Sequence, residues 1–213
     1  MSQNVMAAVK ALQMQITPEV EPDDDYISAE EGKALQAQAK AMLAQAEAQL
    51  VTDAVMDHFC EVQFDREQSD EEKMYSEAAK GMLRLYADKC LDVVDVRLTD
   101  YMPNSRLDGE ELAGHFSGNG GDPRILVSSR NGKAREFNVF AHELGHAIDY
   151  FNNGETFASA PKEVWESKAD EWEKLLKSTA FNLATRLYYG NKKSLKSIPV
   201  EYLLKAMAQV KGV

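Results

Sequence analysis

Apolar residues recur at Leu35, Ala39, Met42, Ala46 and Leu50, in steps of four and three that line one side of an α-helix. Ser28, with Glu31 three residues on, forms a capping box, so this helix is expected to open at Ser28. The same signal returns at Ser69 and Glu72, where Tyr75, Ala79, Met82, Tyr86 and Cys90 continue an inward face. The first stripe is alanine-rich; packing within this chain is the expectation, and a coiled coil with a partner chain is the alternative. Residues 28–90 therefore read as a helical N-terminal region. A flexible acidic leader, 1–27, is expected before it, because Pro18 and the run Glu21-Pro22-Asp23-Asp24-Asp25 combine helix breaking with charge repulsion.

From Val93 the texture changes. Val93-Val94-Asp95-Val96-Arg97-Leu98 is β-branched and partly alternating, and residues 113–117 and 124–128 are further short strands around the turn-forming cluster 118–123. Helical spacing resumes with Phe140, Leu144, Ile148 and Phe151. After the turn Asn152-Asn153-Gly154, Pro161 marks another helix start, with Trp165, Ala169, Trp172 and Leu176 at inward spacing.

Composition narrows the setting. The net charge of -11 is uneven: residues 1–90 carry 8 basic and 18 acidic side chains, whereas 178–213 carry 6 and 1. An acidic front half without a helix-turn-helix pattern argues against nucleic-acid binding. The basic tail, 191–213, with Lys192, Lys193 and Lys196, is expected to be a solvated helical segment. No apolar run approaches the roughly 18 residues that span a bilayer, and the N-terminus lacks a secretion signal's pattern. Cys60 and Cys90 lack the spacing of a disulfide framework or thiolate metal site. A cytoplasmic protein with two buried free thiols is the expectation.

The chemistry concentrates in His142-Glu143-Leu144-Gly145-His146. Histidines at i and i+4 stand one helical turn apart on one face, so both imidazoles can reach one ion. Zinc in such a site lowers the pKa of water towards 7 and polarises a carbonyl, while Glu143 serves as general base. The extended H-E-x-x-H-x-x-G-x-x-H/D pattern is absent, since Asp149 and Asn152 occupy its last two marked positions. The next helix instead offers Glu166 and Asp170, four residues apart. That pair suits a glutamate zincin, with Glu166 as third ligand and Asp170 orienting a histidine. Glu163, Glu171 and Glu173 compete with Glu166 for the ligand role. Asp149 lies on the histidine side of its helix, with a capping or solvated role as the alternative.

These residues resemble the ImmA/IrrE family of minimal gluzincin peptidases over roughly residues 93–178. The likeness rests on Gly114-His115-Phe116, the strand 124–128, the basic stretch through Lys133 and Arg135, Val139-Phe140-Ala141 running into the histidine motif, and Glu166-Ser167-Lys168-Ala169-Asp170-Glu171-Trp172. It implies Zn2+ held by His142, His146 and Glu166, a catalytic Glu143, and an extended substrate added to a sheet edge. Members commonly carry a DNA-binding domain and relieve a DNA-binding repressor; residues 1–90 depart from that pattern.

The expected fold is α+β: a zincin-like catalytic domain, 91–190, with a small mixed or antiparallel sheet on the motif helix, plus the helical N-terminal region. The expected function is zinc-dependent endopeptidase action on a protein or peptide substrate in a bacterial or phage setting. The competing reading is an interaction or virion-associated protein that binds partners, or a second copy of itself, through the N-terminal helices with little turnover. His115, Tyr150, Tyr188 and Tyr189 are the candidates for a transition-state hydrogen-bond donor, with ordinary packing as each one's alternative. Trp165 and Trp172 bracket a pocket or fill the core; His58 reads as a plain helix residue.

Overall fold

A computed structural model of the chain describes residues 29–103, 112–118, 122–130, 132–154, 160–190, 194 and 198–210, except the side chains of Ala29 and Glu31. The expected leader, the Ser28 cap and Lys192, Lys193 and Lys196 lie outside the described residues. Five α-helices and three strands are described: α1 (Ala29–Asp65), α2 (Asp70–Ala87), β1 (Asp95–Thr99), β2 (Gly114–Ser117), β3 (Arg124–Ser128), α3 (Lys133–Asn153), α4 (Lys162–Ala184) and α5 (Val200–Ala208). A π-helical turn, Thr185–Tyr189, extends α4. The fold is α+β with a mixed sheet.

The chain divides into two units, Met1–Ala46 and Glu47–Val213. In the first, Leu35 and Met42 on α1 are 54% and 64% exposed, and farther along the helix Leu50 is 49% exposed. Among the described residues, nothing covers these side chains. Alanine contributes little apolar area, and Val51, Val55 and Val62 occupy other positions around the helix, so no single face accumulates enough apolar surface.

In the second unit, α2 opens as expected. Ser69 Oγ accepts from Glu72 N (3.2 Å), and Ser69 N donates to Glu72 Oε2 (2.7 Å). Asp88, at φ 50°, ends the helix. Cys90 therefore lies beyond the helix and is exposed, while Cys60 is half-buried, so the expectation of two buried thiols fails.

The sheet has order β1-β3-β2, with β1 parallel and β2 antiparallel to β3. Its alternating side chains divide between two clusters. Ile125 and Val127 join Tyr75 and Met82 of α2, Phe140, Leu144 and Ile148 of α3, Leu176 of α4, and Leu203 and Met207 of α5. Leu126 points the other way, to Met56 and Phe64 of α1 and to Met102. Thus α2 and α5, from the stretches read as N-terminal helical region and C-terminal tail, share the main core with the motif helix.

Polar bonds fix the start of that helix. Gly132, at φ 81°, turns the chain into α3, and Glu136 in its first turn is buried. Glu136 Oε1 accepts from Tyr75 Oη of α2 at 2.7 Å and from Lys133 Nζ at 3.1 Å.

Candidate metal centre

His142 and His146 stand one turn apart on α3, their ring centroids 4.9 Å apart and their planes at 85°. A carboxylate from α4, which crosses α3 at a glycine, approaches the two rings. A β-carbon added to Gly145 would lie 2.7 Å from Cβ of Trp172 and 3.1 Å from the carbonyl oxygen of Ala169. Only a residue without a side chain permits this approach. It brings Glu166 Oε2 to 3.1 Å from His142 Nε2 and 3.8 Å from His146 Nε2.

These atoms form a group able to hold a metal ion. Two ligands about 2.05 Å from a tetrahedral ion stand about 3.3 Å apart, close to the observed spacings. Two imidazole nitrogens and a carboxylate oxygen are also the donor set of open catalytic zinc sites. Burial, and next the neighbouring His142, push His146 down to about 4, so its imidazole is neutral and its lone pair available near neutral pH. The residues fit the ion.

Glu143 is buried beside this group. Burial, followed by the charge of Glu166, pushes its carboxyl up to about 8. Strand β2 lies directly against it: a β-carbon at Gly114 would stand 2.6 Å from both Cγ and Oε1 of Glu143. Gly114 thus lets the sheet come down onto the glutamate.

On the other side of the His142 ring, Asp170 Oδ1 is 3.2 Å from Nδ1 and Glu173 Oε2 is 3.8 Å away. His142, Asp170 and Glu173 form a second group with metal-holding spacing. A neutral imidazole that gives its Nε2 lone pair to an ion carries its proton on Nδ1. These two carboxylates therefore face a donor, which favours orientation of the ring over a second ion. Glu163 and Glu171, the other competitors, are exposed on α4. Asp149 is buried, accepts from Asn153 Nδ2, and lies 3.5 Å from Lys168 Nζ of α4.

The donor candidates separate by position. His115 pairs with Leu126 across the β2–β3 ladder, on the face of the sheet turned from α3. Because strand side chains alternate, a Gly114 that faces Glu143 directs the next residue away from it. Burial lowers the His115 pKa, partly offset by the charge of Asp57. Tyr150 stacks edge-on with Phe116 of β2 and donates from Oη to the Gly118 carbonyl at 3.3 Å. Tyr188 and Tyr189 pack on Tyr202 of α5. Trp172 is half-buried with its ring edge-on to Tyr86, and Trp165 Nε1 donates to the Ala160 carbonyl at 2.5 Å. His58 is exposed, with Nδ1 4.0 Å from Glu61.

Several positioning features carry no strong signal in the sequence. Gly114 and Gly145 look like ordinary strand and helix glycines until the partner element is placed. The outer edge of β1 is sealed by side chains. Ser76 Oγ accepts from Val96 N at 3.0 Å, Glu72 Oε1 accepts from Leu98 N at 2.7 Å, Gln68 Nε2 donates to Val96 O at 3.2 Å, and Arg66 Nη2 donates to Leu98 O at 3.0 Å. The other outer strand, β2, has no second neighbouring strand among the described residues.

Comparison of the chain with protein families, with curated proteins and with solved structures gives no match. Among the described residues, no helix is long and apolar enough to cross a membrane.

Proposed function

We propose that this chain is a zinc-dependent endopeptidase of the glutamate-zincin kind, acting on a protein or peptide substrate. The observation that carries the reading is the convergence of His142 Nε2, His146 Nε2 and Glu166 Oε2 beside a buried Glu143. A zinc ion bound there supplies Lewis acidity, activating water and polarising the scissile carbonyl. The residues of the chain do the rest. His142 and His146 offer ring nitrogens from one helix face, and Glu166 offers a carboxylate oxygen from α4. Burial favours the protonated form of Glu143, and a divalent cation held beside it would favour the carboxylate, which then takes the proton of the attacking water and returns it to the leaving amine. Burial against Gly114 fixes that carboxylate and keeps bulk water from competing for the proton.

Sealing of β1 by Arg66, Gln68, Glu72 and Ser76 supports β2 as the strand along which an extended substrate docks. A peptide added there lies beside Gly114, and so beside Glu143. Tyr150, in contact with Phe116 of the same strand, is the candidate of the four best supported for a role near that edge.

The test is hydrolysis of a protein-substrate panel by the zinc-loaded chain and by Glu143→Gln. Hydrolysis is expected to vanish in the variant while zinc is retained; equal hydrolysis by both would move catalysis elsewhere. The exposed Leu35, Met42, Leu50, Val51 and Val55 of α1 favour a second reading, in which α1 binds a partner protein and turnover is slight. Glu143→Gln used as bait separates the two: a retained partner that the wild type cuts supports the peptidase, and one left intact supports the binding protein.

A further inference from the structure

His142 faces two carboxylates, and they differ in surroundings. Asp170 is nearer, at 3.2 Å from Nδ1, but its side chain is 61% exposed. Glu173 stands 3.8 Å away, is 23% exposed, and is tied through Oε1 to Lys177 Nζ at 2.9 Å. Both project from α4, three residues apart, on the side of the helix that carries Glu166. An exposed carboxylate divides its hydrogen bonding between the imidazole and water, and salt screens it. A sheltered carboxylate held at its other oxygen does neither to the same extent. A shift of under about 1 Å brings Glu173 to hydrogen-bonding distance of Nδ1.

We propose that Glu173 is a second positioning residue for His142, sharing the Nδ1 proton with Asp170, and that Lys177 holds it ready for that role. This rests on the reading of His142 as a metal ligand through Nε2. Two acceptors keep one tautomer and one ring orientation when either is drawn away by solvent, so the metal-facing nitrogen stays unprotonated. Lys177, bonded to Oε1, leaves Oε2 of Glu173 turned to the ring.

The experiment measures zinc affinity of the full chain, by competition with a chromophoric chelator, for wild type, Asp170→Asn, Glu173→Gln and the double variant. The nitrogen-15 signals of the His142 ring report its tautomer in each. Each single substitution is expected to weaken zinc by less than about threefold and leave the Nδ1–H tautomer dominant, whereas the double weakens it by about 10–100-fold and mixes the tautomers. Lys177→Met is expected to have little effect alone and to weaken zinc further in the Asp170→Asn background. Either single substitution matching the double, or a double no weaker than the product of the singles, would overturn the sharing. The ligand reading fails separately: Glu166→Ala would then bind zinc as tightly as wild type.

Discussion

Gly145 meets α4 so closely that a β-carbon there would stand 2.7 Å from Cβ of Trp172. The contact lies between the two histidines in sequence and sets how near Glu166 comes to them. Gly145→Ala must separate the helices or strain them, at about 1–3 kcal/mol. If about 1.4 kcal/mol of that is relieved by withdrawal of Glu166, zinc affinity falls about tenfold. Paired thermal melts and zinc titrations check this; an alanine variant with unchanged melting and affinity would show that the crossing is not tight.

Gly114 plays the corresponding part for Glu143. Gly114→Ala places a methyl group against the Glu143 carboxylate and the Val139 side chain. Peptide hydrolysis is expected to fall about 100-fold, as for an ångström-scale displacement of a reacting group, with zinc affinity near that of wild type. Loss of zinc and activity together would mean that β2 supports the ligands as well as the glutamate.

Glu72 gives the unit a defined acid sensitivity. Burial alone would raise its pKa, but bonds from Arg66, the Leu98 backbone and Ser69 outweigh this and hold it at about 2, against an ordinary value of 4.5. A pKa lowered by folding stabilises above the unfolded value, and the contribution is lost as pH falls from 4.5 towards 2. The shift corresponds to on the order of 3 kcal/mol at neutral pH. Urea unfolding of wild type and Glu72→Gln is therefore expected to show a stability gap at pH 7 that narrows steadily below pH 4.5. A gap independent of pH would contradict the assignment.

The Tyr75–Glu136 bond ties α2 to the first turn of the motif helix. Tyr75→Phe leaves Glu136 buried with Lys133 as its remaining partner, and a loss of about 1–3 kcal/mol is expected. Hydrogen exchange at residues 133–140 is expected to accelerate in this variant; unchanged exchange would place the anchor elsewhere.

Local patterns were the legible part of the chain. The Ser69–Glu72 box, the strands near 95, 114 and 124, and the helix entered after Pro161 each depend on residues a few positions apart, and they stand where spacing puts them. His142, His146 and Glu166 also lie close together, because helix periodicity fixes the histidine face and a single crossing brings the carboxylate to it. What spacing cannot convey is which face a neighbour covers. His115 shows this: one residue along a strand decides which side of the sheet a ring occupies, and the pattern around it is compatible with either. Gly145 and Gly114 likewise gain meaning only from the helix and strand that press on them. The α1 stripe shows the same limit, since periodicity shows that a face exists but not what covers it, and its Leu35, Met42 and Leu50 are exposed among the described residues.

The central claim is that His142, His146 and Glu166 hold zinc together. Calorimetric titration of the metal-free chain, with His142→Ala, His146→Ala and Glu166→Ala alongside, tests it most directly. The account predicts one zinc per wild-type chain and a large loss of affinity in each variant, with folding retained by circular dichroism. A wild-type chain that binds no zinc, or a Glu166→Ala chain that binds it as tightly as wild type, would contradict it.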